Sequence, residues 1–151
     1  MLEKTNARVY LRIYGDSFPI DLLTELLKIQ PTQAYSKGEE IIRKPNPNVI
    51  YRGKHYRQES AWELSTEYEE TYDLEKPIDE ILIRLKNKEE IIKDFCKEYD
   101  LKCHFMIVIV IKNGETPSIV LNKELISIAN YIEAEIHFDL YAHPYESEFD
   151  S

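Results

Sequence analysis

The stretch Leu101–Lys112, read Leu-Lys-Cys-His-Phe-Met-Ile-Val-Ile-Val-Ile-Lys, constrains the fold more than any other part of the chain. Every odd position from Leu101 to Ile111 is apolar, the period-2 pattern of a strand with one face in a core. The even positions begin polar at Lys102 and His104, turn apolar at Met106, Val108 and Val110, and end on Lys112. A β-branched run that is apolar on both sides at its centre suits an interior strand, not an edge. The remaining elements must then pair beside this strand or cover its odd face.

Three other stretches alternate in the same way. Arg8–Tyr14 puts Val9, Leu11 and Ile13 on one face and Arg8, Tyr10, Arg12 and Tyr14 on the other, with residues 1–7 read as a loose end. Ser60–Tyr68 places Trp62 and Leu64 together, with Trp62 as a core residue, because burying an indole removes a large apolar area from water. Ala134–Tyr141 turns Ala134, Ile136, Phe138 and Leu140 inward and Glu135, His137, Asp139 and Tyr141 outward.

Helical spacing fills the intervals. Ile20, Leu23, Leu26 and Leu27 form a stripe that opens near Pro19, with Asp16 or Ser17 as cap, and ends before Pro31. Ile78, Ile81, Leu82 and Leu85 form a second stripe, and Ile91, Ile92, Phe95 and Tyr99 a third, with a break at Lys86-Asn87-Lys88 that predicts two helices. Asn122 is placed to cap a fourth helix carrying Leu125, Ile128, Ala129 and Ile132. Between residues 31 and 60 the pattern is irregular. Tyr35-Ser36-Lys37-Gly38 and Pro45-Asn46-Pro47-Asn48 read as turns, with short strands over Glu40–Lys44, Val49–Tyr51 and Lys54–Arg57. The expectation is an α+β fold over 1–143, a mostly antiparallel sheet with helices on one face, in ferredoxin-like order with an added helix and strand. Residues 144–151 form a polar, acidic tail expected to be disordered.

Charge narrows the function classes. Residues 1–57 carry ten Lys/Arg against six Asp/Glu, and residues 58–151 carry nine against twenty-two, so the net −9 divides into about +4 and −13. An acidic chain lacks the dense positive charge of a general nucleic-acid binder, and suits a basic protein partner or simply solubility. The longest apolar run, Phe105–Ile111, falls short of the ~18 residues of a membrane span. The two cysteines, Cys96 and Cys103, form no CxxC motif and read as small core residues of a reduced, cytoplasmic protein.

Several short motifs in a fixed order resemble one bacterial family. They are Leu11-Arg12-Ile13-Tyr14-Gly15-Asp16, then Leu26-Leu27-Lys28-Ile29-Gln30-Pro31-Thr32 leading to Lys37-Gly38-Glu39, and Ser60-Ala61-Trp62-Glu63-Leu64-Ser65-Thr66. Pro117-Ser118-Ile119-Val120-Leu121 and Ile136-His137-Phe138-Asp139-Leu140-Tyr141 follow. Together they resemble the family catalogued as domain of unknown function 4279, across residues 8–142. The resemblance implies no activity and no set of site residues.

The sheet face opposite the helices is the candidate site. It gathers Tyr10, Arg12, Tyr14, His104, His137, Asp139 and Tyr141, beside Glu63 and Ser65. Tyr and Arg supply contact area together with hydrogen bonds, as binding surfaces require. The bland counterpart is a solvated face of cross-strand Tyr–Arg and His–Asp pairs. His104, His137 and Asp139 are also a conceivable ligand trio for a metal, although no metal is expected. Cys103 faces the core while His104 faces away, so the two cannot act as nucleophile and base. With neither a P-loop nor a dinucleotide fingerprint, no cofactor is expected. The reading is a non-enzymatic domain that binds another macromolecule, of regulatory or immunity type, with a basic protein as partner. The alternative is a small-ligand site or enzyme pocket between the sheet and the 35–57 loops, using Arg12, Arg43, Tyr51, His55 and Arg57. Self-association through an exposed first or final strand, giving a homodimer, is a third expectation.

Overall fold

The computed structural model describes residues 2–143, and the expected acidic tail lies outside them. The elements in chain order are β1 (Asn6–Gly15), α1 (Ile20–Leu27), β2 (Gln33–Tyr35), β3 (Ser60–Ser65), β4 (Glu69–Glu70), α2 (Glu75–Leu85), α3 (Glu89–Tyr99), β5 (Lys102–Ile111), α4 (Lys123–Tyr131) and β6 (Glu135–Ala142). They form an α+β fold with one six-stranded sheet in the order β2-β3-β1-β5-β6, and β4 pairs the start of β1.

The β5 stretch is interior, as its two-sided apolar centre requires, with β1 antiparallel on one side and β6 parallel on the other. The sheet is therefore mostly antiparallel with one parallel edge. β1 and β2 are both antiparallel to β3, so β1–α1–β2 is a parallel pair split by β3. The order β2-β3-β1-β5 is thus the expected ferredoxin-like, split βαβ arrangement, to which α4 and the parallel edge strand β6 are added.

The two sheet faces separate by parity. Val9, Leu11, Ile13, Phe105, Ile107 and Ile109 are fully buried with Trp62 and Leu64 against Leu23, Ile78, Ile81, Ile92 and Leu125 of the helices. Burying each such Leu or Ile contributes about 1.5–3 kcal/mol. No even-numbered residue of β1 or β5 belongs to this core. Trp62 is a core residue, with its indole N–H donating to Thr24 Oγ1 at 3.1 Å.

Several boundaries differ from the sequence expectations. β1 begins at Asn6, and Thr5, Asn6 and Ala7 are buried instead of forming a loose end. Thr5 Oγ1 accepts from the Lys112 backbone N–H at 3.1 Å, and Asn6 donates to the Lys4 carbonyl, so these polar side chains are buried but satisfied. α1 has Pro19 at its N-cap without a side-chain bond from Asp16 or Ser17. Asn122 does cap α4, accepting from Leu125 N at 2.9 Å. Asn87, in the left-handed region at φ 64°, separates α2 from α3. The inward assignment of Phe138 and Leu140 is corrected, since they are 42% and 58% exposed. β6 is an edge strand, and of its apolar residues only Ile136 packs on the core.

The three short strands expected between residues 40 and 57 are replaced by a loosely paired arm. Its base is held by Gly38 N–H to Arg57 O at 2.9 Å, Arg57 N–H to Glu39 O at 2.8 Å and Ile41 N–H to His55 O at 2.7 Å. The last two of these bonds make up the isolated antiparallel bridge between Glu40 and Tyr56.

Candidate binding face

The face without helices is built as a lattice set by strand register. Arg12 lies between Glu63 on β3 and His104 on β5, and His104 in turn opposes Glu135 on β6. The next row runs Ser65, Tyr10, Met106, His137, and the row after it includes Arg8, Val108 and Asp139. Alternation on β1 thus becomes an Arg–Tyr ladder across the middle of the sheet.

His104 is the centre of one cluster. Its ring stacks on that of His137 at 4.5 Å between centroids and 12° between planes, and meets Tyr14 edge-on at 5.5 Å. Tyr10 lies 6.4 Å away. Burial, chiefly, and the neighbouring His137 and Arg12 charges push the His104 pKa down to about 4. At neutral pH it is therefore an uncharged aromatic group with hydrogen-bonding capacity, and not a proton donor poised near pH 7. Its Nδ1 is buried with no hydrogen-bond partner among the described residues.

Arg12 joins this cluster to the root of the arm. Its guanidinium donates to the Tyr35 hydroxyl at 2.9 Å, pairs with Glu59, and lies 5.0 Å over the Tyr14 ring. Tyr35 also carries Arg57 on its ring at 3.9 Å. Tyr35 is thus a buried strand residue and not part of a turn. On the other side of the face Arg8 lies over Tyr10 at 4.7 Å and Tyr68 at 5.2 Å. Beyond it, a hollow of about 370 Å³ has Val110 in its lining with Leu2, Asn6, Tyr68, Lys112 and His143 around it.

Of the seven expected site residues, Tyr10, Arg12, Tyr14, His104 and His137 come together. Asp139 and Tyr141 form a separate pair, the Tyr141 hydroxyl donating to Asp139 at 2.9 Å, which raises the tyrosine pKa. Side-chain pairing takes apart the conceivable metal trio, although His104 and His137 are neighbours. His137 Nε2 bonds Glu135 at 3.0 Å while Asp139 is taken by Tyr141, and among the described residues no group of three or more His, Cys, Asp or Glu is placed to hold a metal. Cys96 and Cys103 are both buried, and Cys103 lies on the face opposite His104.

The residues of the expected 35–57 pocket form separate contacts. Arg12 and Arg57 share Tyr35, whereas Arg43 stacks on Tyr51 at 4.6 Å farther along the arm. Sequence reasoning placed Arg8 on this face but left it out of the candidate site, and missed Tyr35, Glu59 and Tyr68 as members of the face. Arg8 was legible from its parity with Tyr10 and Arg12, but Tyr35, Glu59 and Tyr68 reach the face through long-range pairing.

These features define an α+β domain with one sheet face packed under helices and the other carrying an aromatic, arginine-rich cluster. The chain belongs to the family described as domain of unknown function DUF4279, whose model matches residues 3–143. No curated protein and no solved structure matches it. No helix among the described residues is long and apolar enough to cross a membrane.

Proposed function

We propose that this protein is a non-enzymatic binding domain whose helix-free sheet face engages another protein, as a regulatory or immunity-type partner in the bacterial cytoplasm. The observation that carries this reading is the Arg12–Tyr14–Tyr35–His104–His137 cluster lying beside the half-buried Met106 in the next row of the sheet. Tyr and Arg around a half-buried apolar centre are the composition of an energetic interface core. The cluster is also preassembled, with Arg12 fixed by Tyr35 and Glu59 and His104 by two ring contacts, so little side-chain freedom is lost on binding. The −13 carried by residues 58–151 favours a basic partner through complementarity and faster encounter.

The test is affinity capture from cells of the source organism, with wild type beside the triple variant Tyr10→Ala/Arg12→Ala/His137→Ala. The reading expects a protein retained by wild type and lost by the folded variant. Identical sets of captured proteins from the two baits contradict it.

A further inference from the structure

Residues 41–57 contain Arg43, Lys44, Arg52, Lys54 and Arg57 and no Asp or Glu, so the rest of this net −9 chain carries −14. The same segment holds apolar side chains in solvent: Ile42 is 91% exposed and Ile50 88%, with Val49 and Tyr51 about half as much. Pro45-Asn46-Pro47-Asn48 turns its tip, where Asn46 accepts from Asn48 N–H at 2.9 Å and from Val49 N–H at 3.1 Å. An exposed apolar tip among cations is expensive to leave in water and marks a surface that is covered in use.

A complementary surface lies elsewhere on the molecule. Between α2, α3 and α4 run two adjoining hollows of about 640 and 480 Å³, which share Glu89, Glu124 and Ile128. Their apolar lining includes Leu82, Ile83 and Tyr131, and their rim adds Asp79 and Glu90 together with Lys86 and Lys123, so four carboxylates stand against two lysines and the groove is acidic on balance. Ile83 is 73% exposed, an unusual state for an isoleucine on a helix of this core. The arm emerges from the β2 edge of the sheet, whereas α4 belongs to the β5–α4–β6 crossover at the opposite edge.

We propose that the 41–57 arm of one copy docks into the acidic, apolar groove between α2, α3 and α4 of a second copy. Ile42, Ile50 and Tyr51 would meet the Leu82/Ile83/Ile128 lining, and Arg43, Arg52 and Lys54 the Glu89, Glu90 and Glu124 rim. The charge distribution selects this occupant. A nucleic acid or anionic membrane that attracts the arm repels the −14 of the body, while a second copy supplies opposite charge and an apolar hollow together. This contact is separate from the helix-free face and stands or falls independently of it.

Arm and groove are distinct surfaces, so disabling one leaves the other intact on the same molecule. The test is sedimentation equilibrium of the full chain over a concentration series at low and moderate salt. It compares wild type with an arm variant, Arg43→Glu/Arg52→Glu, and a groove variant, Ile83→Lys/Glu90→Gln/Glu124→Gln. Thermal melts confirm that both fold, with Ile83→Lys alone as the substitute should the triple groove variant not fold. Wild type is expected to self-associate more weakly as salt rises, and each variant alone to associate at least about tenfold more weakly. An equimolar mixture of the two variants is expected to recover a dimer, because the intact groove of one accepts the intact arm of the other. Wild type that stays monomeric throughout, variants that associate like wild type, or a mixture that stays monomeric would each overturn the proposal.

Discussion

His104 and His137 stack face to face across β5 and β6, with ring centroids 4.5 Å apart and planes 12° from parallel. One imidazole is buried and the other half-exposed, so the pair joins the inside of the sheet surface to the side a partner would touch. Two protonated rings at this separation would repel, and burial penalises the charge on His104 first.

That asymmetry makes folding pH-dependent. The folded-state pKa of His104 is about 4 against an ordinary 6.5, so the unfolded chain takes up this proton first as pH falls. Stability from this group is complete above about pH 6.5 and is lost progressively down to about pH 4, by about 3 kcal/mol at most. His104→Phe is expected to flatten this part of the profile in urea melts at stepped pH, whereas parallel wild-type and variant curves contradict the assignment.

Trp62 is fully buried and hydrogen-bonded to Thr24. Trp62→Ala is expected to cost about 3–5 kcal/mol of unfolding free energy. Thr24→Ala, which leaves the indole N–H unpaired, is expected to cost about 1–3 kcal/mol. A cost for Trp62→Ala within about 0.5 kcal/mol, as at an ordinary surface site, would reassign the indole to a ligand-stacking role.

Much of this architecture was legible because period-2 alternation is a local property. β1, β3, β5 and β6 were all visible from their own residues, as was the break at Asn87. Pairing partners were not, since nothing in Glu135–Ala142 states that it lies parallel at an edge, where Phe138 and Leu140 lose their cover. β2 is three residues long, too short for any period, and Tyr35 is recognisable only through β3, Arg12 and Arg57. Thr5 and Asn6 looked like a solvated end because polar letters do not reveal that distant backbone groups satisfy them. For the face, parity brought Tyr10, Arg12, Tyr14, His104 and His137 together, while side-chain pairing withdrew Asp139 and Tyr141.

The two thiols are expected to react unequally. The neighbouring Cys103 thiol lowers the Cys96 pKa, whereas Cys96 and burial raise the pKa of Cys103, whose Sγ donates to the Ile132 carbonyl at 3.5 Å. Labelling of the native protein with a thiol reagent is expected to be slow and to modify Cys96 first, so that Cys96→Ser removes the earlier phase. Modification of Cys103 ahead of Cys96, identified by peptide mass spectrometry, contradicts this order.

Arg12 and Tyr35 are expected to be energetically coupled through the 2.9 Å bond and the ring contact. A double-mutant cycle with Arg12→Ala and Tyr35→Phe is expected to yield about 0.5–2 kcal/mol. Arg12→Lys is expected not to restore it, because a lysine lacks the planar fork that serves Tyr35 and Glu59 together. Additive single-mutant effects would show that the two residues are only neighbours.

The central claim, that the helix-free sheet face is the binding surface, is tested most directly by site-specific photocrosslinking in the source cells. A photoreactive residue is placed at Tyr10 or His137 on that face, or at the exposed Leu26 of α1 on the helix side. The account expects one crosslinked protein shared by the Tyr10 and His137 probes and missing from the Leu26 probe. Crosslinking from Leu26 with none from Tyr10 or His137 would contradict it.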